Sequence, residues 1–465
     1  MVAGRRDVLP PAPTSTTASA SPGPAPRSAG GRPPSVLIIV QNLPVPFDRR
    51  VWLECRTLTA AGYEVAVVCP RGPGDPPVEV VEGVTIYKYA PPPTGTGKVA
   101  FVREYLQSFL ATAWLTARAW RRRRFQVLQA CNPPDIFWPL ALALRPAGVR
   151  FVFDHHDLCP ELYESKFGTR TSALYRGLLF LERCTFRTAH RVVSTNDSYR
   201  KIALRRGGKR PEDVTVVRTG PDPERLRPVP PEPALRRGRD HLVVYLGVMG
   251  AQDGVDLAVR AVDHVVHTVG RTDVSFTFIG GGESYDELVA LRDELGLGDY
   301  LELPGRLPDD DVTRLLSTAD VGLCPDPKNP LNDVSTMNKT MEYMAYRLPV
   351  VAFDLHETRV SAAEAAVYAT PNEVVSFADL VLELLDDEPR RRTMGRFGRT
   401  RVKDTLAWSH QREGYLRVYD ELTGRRTVGD GLVATTNGVG EAAANGHGRR
   451  GASTNGRSTT VPARS

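Results

Sequence analysis

Long apolar runs are absent from the 465 residues. The best, 136–144, is about nine long, against the roughly 18 that a membrane-spanning helix needs. Cysteine is scarce as well. Cys55, Cys69, Cys131, Cys159, Cys184 and Cys324 form no C-x-x-C pair, which predicts reduced, packed thiols of a cytoplasmic protein rather than a disulfide frame. Arg5-Arg6 has no apolar stretch behind it, so a secretory or twin-arginine leader is not expected. The dinucleotide fingerprint G-x-G-x-x-G is missing too. Gly280-Gly281-Gly282-Glu283 comes nearest, but Tyr285 stands where the last glycine belongs, and a nicotinamide dehydrogenase is disfavoured.

A folded basic surface is also lacking, although the net charge is +6. Residues 1–34 carry Arg5, Arg6, Arg27 and Arg32 against Asp7. Residues 425–465 carry Arg425, Arg426, Arg449, Arg450, Arg457 and Arg464 against Asp430 and Glu441. The stretch between these tails is close to neutral, so no nucleic-acid partner is expected.

What is present is core. Apolar residues make up 41% of the chain and charged residues 25%, which excludes wholesale disorder. Only the tails, 1–34 and 425–465, read as disordered, being rich in Pro, Ala, Ser, Thr, Gly, Asn and Arg. Between them short β-branched runs alternate with amphipathic stretches: 36–40 (VLIIV), a helical pattern over 49–61 closed by Gly62, then strand-like 65–69, 84–89, 127–130, 151–153, 192–194 and 214–217. A Pro-rich break at 221–233 follows. The pattern then restarts at 242–246, 275–279, 301–303, 320–323 and 349–353, with helices expected over 337–346, 374–386 and 389–422. This predicts an α/β protein with two Rossmann-like, doubly wound parallel-sheet domains facing a cleft. The expected bounds are 35–220, a hinge at 221–240, 241–400, and a terminal helix over 401–424 that returns to the first domain.

In such sheets ligands sit at the carboxyl ends of strands, near helix N-termini. Gly280, Gly281 and Gly282 follow one strand; they would let amides approach a phosphate, and they would serve equally as a tight turn. Asp154, His155, His156 and Asp157 follow another. Adjacent histidines place their rings poorly for one ion and no third ligand is evident, so a polar cluster facing the cleft is expected there and no metal. Ser335 and Thr336 precede the 337–346 helix as a predicted N-cap with donors for phosphate. Lys339 and Glu342 share a face of that helix, whether as site residues or as a solvated ion pair. Asp309-Asp310-Asp311 reads as N-terminal helix charge.

Taken in order, these residues resemble a GT-B-fold glycosyltransferase similar to family 4, the retaining nucleotide-sugar family. The resemblance rests on Lys339-Thr340-Met341-Glu342-Tyr343-Met344-Ala345 with Leu348-Pro349-Val350-Val351-Ala352, on Gly280–Gly282, on Asp320 in T-A-D-V-G-L, and on Gly220-Pro221-Asp222. The run Asp154-x-His156-Asp157-Leu158-x-Pro160-Glu161 resembles a subgroup of bacterial surface-polysaccharide synthesis. The resemblance implies that Glu342 holds the donor ribose and His156 places the sugar, with Asp154, His155 and Asp157 lining the acceptor side. It also implies a UDP- or GDP-sugar donor, a lipid-linked or saccharide acceptor, no cofactor, and a location in the cytoplasm at the inner face of the plasma membrane.

Two departures stand out. The family's first Glu falls on Val334, with Asp333 beside it as a stand-in. The G-R-L-x-x-x-K-G loop, whose Arg and Lys neutralise the diphosphate, is matched by 247–254, where Val248 and Asp253 replace both cations. Fixed donors on a leaving diphosphate are worth about 2.7–4 kcal/mol each. Substitutes are therefore expected among Arg306, Lys339, the loop amides around Gly247 and Gly250, and Ser335-Thr336, with Arg218 a weaker choice. These losses also admit a catalytically inactive nucleotide-sugar-binding scaffold, and the fold admits an epimerase or hydrolase.

One stretch, 98–124, is left to explain. Val102, Tyr105, Leu106, Phe109, Leu110, Ala113, Trp114, Ala117 and Trp120 form an apolar stripe ahead of Arg121–Arg124. It would pack on the sheet or lie on an anionic membrane surface.

Overall fold

The computed structural model describes residues 32–92 and 98–425. All but the innermost residues of both predicted tails lie outside the described residues, as does the side chain of Val102. The first lobe is an eight-stranded sheet of β1 (Ser35–Ile39), β2 (Glu64–Pro70), β3 (Val78–Val81), β4 (Val84–Tyr89), β5 (Val127–Cys131), β6 (Arg150–His155), β7 (Arg191–Ser194) and β8 (Val214–Val216). Its order is β3-β4-β2-β1-β5-β6-β7-β8. The second is a six-stranded parallel sheet of β9 (His241–Val248), β10 (Val274–Gly281), β11 (Leu301–Gly305), β12 (Val321–Cys324), β13 (Val350–Phe353) and β14 (Ala366–Ala369), in the order β11-β10-β9-β12-β13-β14. The fold is therefore α/β with two doubly wound sheets.

Strand alternation explains why β1 reads as an unbroken apolar run. Val36 and Ile38 point into a core shared with the Arg49–Ala60 and Trp408–Thr423 helices. Leu37 and Ile39 point to the opposite face, where Leu115, Ala119, Ala141 and Phe186 pack from the Lys98–Arg122, Trp138–Leu144 and Ala173–Thr188 helices. Both faces being covered, the strand is apolar from Val36 onward, and its one polar residue, Ser35 at the start, is satisfied by the Arg124 carbonyl. The 98–122 helix packs one face on the sheet, as one of its two readings expects, and leaves the other exposed. Leu115, Ala119, Ser108 and Thr112 are buried, whereas Leu106, Leu110 and Trp114 remain 55–60% exposed. Among the described residues no helix is long and apolar enough to cross a membrane.

The Trp408–Thr423 helix lies on the first lobe's core through Trp408, Tyr415, Val418 and Tyr419. The single helix expected over 389–422 is divided in the structure. Glu388–Arg401 runs into a wide turn, Val402–Leu406, and Ala407 is extended (ψ 150°) before the last helix begins. Gly220 lets the other crossover pass here. A Cβ on it would lie 1.9 Å from the carbonyl oxygen of Leu406. The β3 arm of the antiparallel β3–β4 hairpin has no counterpart in the sequence reading, which expects only the 84–89 strand. Glu82 and Gly83 form the hairpin's two-residue turn with positive φ.

Candidate active site

At the carboxyl end of β6, alternation separates the two histidines. His155 turns into the core against Phe153, Phe186 and Tyr199, with ring centroids 5.0–5.3 Å apart and neither ring nitrogen hydrogen-bonded. Burial lowers its pKa to about 3, so the ring is neutral. The expectation that His155 faces the cleft is corrected: it continues the Phe151–Phe153 face of β6, which stays packed to the end of the strand. Asp154 and His156 point the other way and meet each other, Nδ1 to Oδ2 at 2.9 Å.

Asp154 is fully buried and carries a bidentate pair from Arg50, at 3.1 Å to Oδ2 and 2.7 Å to Oδ1. Arg50 also donates to the carbonyl of Val217 and to Thr219 Oγ1, and lies 3.3 Å from Glu54. Gln129 Nε2 donates to Glu54 at 2.7 Å. Against the cost of burial, Arg50 and His156 hold the Asp154 carboxyl well below the usual range. Burial and the neighbouring Asp154 push Glu54 up, to about 8. Burial and, less strongly, the Arg50 charge would lower the His156 pKa, but Asp154 outweighs both and lifts the pKa to about 9. The imidazole is thus charged at neutral pH, and its Nε2 has no hydrogen-bond partner among the described residues. Cys131, Asp154 and His156 offer ligand atoms within 4.8 Å of one another, but Arg50 and His156 already take up the carboxylate. Asp157 is anchored by its backbone to the Asn132 side chain, and burial raises its carboxyl pKa.

Across the cleft, the glycines zip two loops together. Gly280 has φ +143°, and a Cβ there would fall 1.8 Å from the carbonyl oxygen of Gly247. A Cβ on Gly282 would fall 2.4 Å from that of Met249, and Met249 N donates to Gly281 O at 3.1 Å. Gly250 N is held by Asp253 Oδ2 at 2.9 Å, so the acidic residue in the place of the family lysine ties the loop down. Arg306 is exposed beside Gly281 and makes no hydrogen bond or ion pair among the described residues.

Lys339 is placed otherwise than expected. Its side chain is 10% exposed, with Nζ 2.8 Å from both oxygens of Asp326 and 5.2 Å from the centre of the Tyr245 ring. Burial alone would lower its pKa; Asp326 outweighs this and raises it well above the ordinary value. Its charge is already matched within the lobe. Glu342, one turn on, faces elsewhere and takes Arg49 Nη1 of the first lobe at 3.0 Å. Burial raises the Glu342 pKa, and Arg49 opposes the rise.

The predicted cap at Ser335 and Thr336 is likewise corrected. The Asn338–Ala345 helix starts from Met337 with no side-chain cap. Both hydroxyls instead bridge the lobes. Asn196 Nδ2 donates to Thr336 Oγ1 at 3.0 Å and to Val334 O at 2.9 Å, and Tyr199 Oη lies 3.0 Å from Ser335 Oγ. Leu158, Tyr199 and Leu331 form an apolar cluster behind them. Ser198 donates to Glu357 at 2.6 Å; Arg218 reaches the same carboxylate at 3.5 Å and so serves this seam. Asp333 accepts from His356 N at 2.9 Å and lies 3.5 Å from Lys328, away from Glu342. Lys166–Glu283, at 3.0 Å, is a further bridge, next to Gly282. A polar depression of about 400 Å³ lined by Arg150, His190, Arg191, Lys209 and Asp213 lies at the amino ends of β6–β8, the wrong end of the sheet for a doubly wound site.

Sequence reasoning missed Arg49, Arg50, Glu54, Asp326, Asn196 and Tyr199. For the first two a signal existed. They follow β1 directly behind the N-cap Asp48, whose Oδ1 accepts from Val51 N at 3.0 Å, and so stand where ligands bind.

Two family profiles match the chain: "Glycosyl transferase 4-like domain" over residues 48–220 and "Glycosyl transferases group 1" over 240–387. A 2-deoxystreptamine glucosyltransferase of Streptomyces kanamyceticus is 24% identical over 385 residues, 80% of this chain and 97% of that protein. Sucrose-phosphate synthase of Thermosynechococcus elongatus superposes with TM-score 0.68 at 16% identity, over 84% of this chain and all of the other. Anabaena Alr3699/HepE, solved in complex with UDP-glucose, gives TM-score 0.62 at 14% identity, over 84% and 99%.

Proposed function

This chain is a GT-B-fold glycosyltransferase of family-4-like type, and from that premise we propose that it moves a sugar from a nucleotide-sugar donor to an acceptor hydroxyl with retention. The observation that carries the proposal is the meeting of Glu342 on the second lobe with Arg49 on the first, at 3.0 Å. It puts the carboxylate that this reading assigns to the donor ribose at the seam between the carboxyl ends of the two sheets.

The roles follow from charge. The donor's diphosphate gains negative charge as the glycosidic bond breaks, and preorganised donors lower that barrier. Arg306 is exposed and uncommitted beside Gly281, and a guanidinium forks well onto phosphate. Lys339, matched by Asp326, contributes by keeping the floor under the Gly247 loop rigid. Glu342 takes the ribose hydroxyls, and His156 presents Nε2–H to the sugar. The acceptor attacks the face the diphosphate leaves, and the leaving oxygen takes its proton; no metal is needed for these steps. UDP-glucose in a similarly folded protein supports a UDP-sugar as the first donor to try.

The acceptor belongs to surface polysaccharide or glycolipid synthesis in this reading, supported by the Asp154–Glu161 run. A lipid-linked acceptor would bring Leu106, Leu110 and Trp114, with Arg121 and Arg122 at the helix end, onto an anionic leaflet. The test is incubation with UDP-, GDP-, ADP- and dTDP-sugars, with and without saccharide or lipid-linked acceptors. Nucleotide release that depends on acceptor and yields an α-linked product from an α-donor is expected. Equal release without acceptor points to a hydrolase or epimerase, and none with any pair contradicts the proposal.

A further inference from the structure

His156 is the outermost member of a buried chain of polar groups running back to the last helix. Tyr415 Oη donates to Gln129 Oε1 at 2.9 Å, and Tyr419 Oη donates to the same oxygen. With its oxygen so occupied, the Gln129 amide must turn its nitrogen to Glu54, which accepts at 2.7 Å. Glu54 flanks Arg50 at 3.3 Å, and Arg50 grips both oxygens of Asp154. Two further acceptors, Val217 O and Thr219 Oγ1, fix the guanidinium plane. Asp154 then meets His156 Nδ1 at 2.9 Å. Every link is buried or nearly so, where an unpaired charge is costly and a paired one is held in a single geometry.

This chain decides what Nε2 offers. A neutral imidazole bound to a carboxylate through Nδ1–H would present Nε2 as an acceptor; an imidazolium presents it as a donor. The second state needs an ionised Asp154, and a buried carboxyl stays ionised only with cations fixed upon it; Arg50 opposes the imidazolium directly, so what it gives His156 comes only through the ionisation and orientation of Asp154. The other titratable groups about His156 are His155 and Asp157 on its own segment, Glu54 and Asp48 at the first helix, and Cys131 on β5. None of these has a geometry comparable with the bidentate pair.

Resting on the reading of His156 as the group that meets the donor sugar, we propose that Arg50, backed by Glu54 and Gln129, is a positioning residue. It locks Asp154 onto Nδ1–H so that His156 meets the sugar as a fixed Nε2–H donor. Arg50 touches no substrate in this account and acts only through Asp154.

The first test is the ¹⁵N titration of the His156 ring in the ligand-free protein, assigned by its loss in His156→Gln. Deprotonation near pH 9 is expected, and in Asp154→Asn it falls to about the ordinary 6.5 or below. Titration near 6.5 in the wild type, or no movement in Asp154→Asn, overturns the inference. The second test is kinetic. Arg50→Met should lower kcat at least about tenfold, 1.4 kcal/mol of barrier, with donor KM within about twofold, and Arg50→Lys should not restore it, since an ammonium cannot make the fork. Should Arg50→Met not fold, Thr219→Val removes one anchor without stranding a charge, and kcat should fall several-fold. An unchanged kcat in whichever variant folds overturns the proposal. His156→Ala with wild-type turnover would overturn the underlying reading as well; inactive His156→Ala beside an unaltered Arg50 variant overturns this inference alone.

Discussion

Arg49 and Glu342 belong to different lobes, 293 positions apart, and their side chains meet at 3.0 Å across the seam. The arginine is 59% exposed and also lies 3.5 Å from Asp309. An ion pair this open to water contributes about 0–1 kcal/mol to stability. Donor binding at Glu342, as proposed, would therefore displace it at small cost. Glu342→Ala should leave the melting temperature almost unmoved while weakening nucleoside-diphosphate binding at least about tenfold. Melting curves and calorimetry on the same sample check both halves. A large drop in stability with intact binding would make Glu342 structural.

Gly280 tests whether the two loops of the second lobe are zipped as described. With φ +143° and only 1.8 Å between an added Cβ and the Gly247 carbonyl oxygen, alanine cannot be accommodated without moving backbone. Gly280→Ala should cost about 3 kcal/mol or more by denaturant unfolding. Gly298→Ala, where nothing lies within 4 Å, should change stability by less than about 1 kcal/mol.

The histidines set opposite limbs of a pH–stability profile. His155 is held at about 3 in the fold and 6.5 when free. The unfolded chain thus binds the extra proton, and stability is lost as pH falls below 6.5. His156 is held at about 9, so its contribution is complete below 6.5 and is lost as pH rises through 9. Glu54, raised by burial and Asp154, declines in the same alkaline direction. His155→Phe, facing Phe153, Phe186 and Tyr199, should flatten the acid limb by on the order of 1–3 kcal/mol between pH 6.5 and 4, read from urea midpoints across pH. An acid limb unchanged by that substitution would place its origin elsewhere.

The outer face of the Lys98–Arg122 helix supplies a separate prediction. Leu106, Leu110 and Trp114 recur every fourth residue and are exposed, so changing all three to Ser removes apolar area without opening the core. Partition to vesicles rich in anionic lipid should fall at least about tenfold, with the melting temperature held. Unaltered partition would take this face out of membrane contact.

The two-sheet architecture is legible because strands buried on both faces leave unbroken apolar runs, as 36–40 does, and because glycine and proline punctuate them. The β3 edge strand is not legible. Its Val80 is two-thirds exposed, and a half-wet pair of strands shows no such run. Glu342 and His156, the residues proposed to meet the donor, are singled out by the family resemblance. His155 cannot be told from its neighbour without knowing which face of β6 is the core. Arg50 and Glu54 escape notice for a general reason: charged residues on an amphipathic helix read as its wet side, and only tertiary contact shows that Arg50 has a buried carboxylate to meet. The same applies to Lys339, whose partner Asp326 lies thirteen positions earlier on a loop.

The central claim is that this chain grips an activated sugar through its diphosphate although Val248 and Asp253 replace the usual cations. Calorimetric titration of UDP-, GDP-, ADP- and dTDP-sugars, each beside its bare nucleoside, addresses it most directly. One nucleotide sugar should bind, with its nucleoside at least about a hundredfold weaker, a difference of about 2.7 kcal/mol. Equal affinity for the nucleoside, or no binding by any of the four, would contradict the claim.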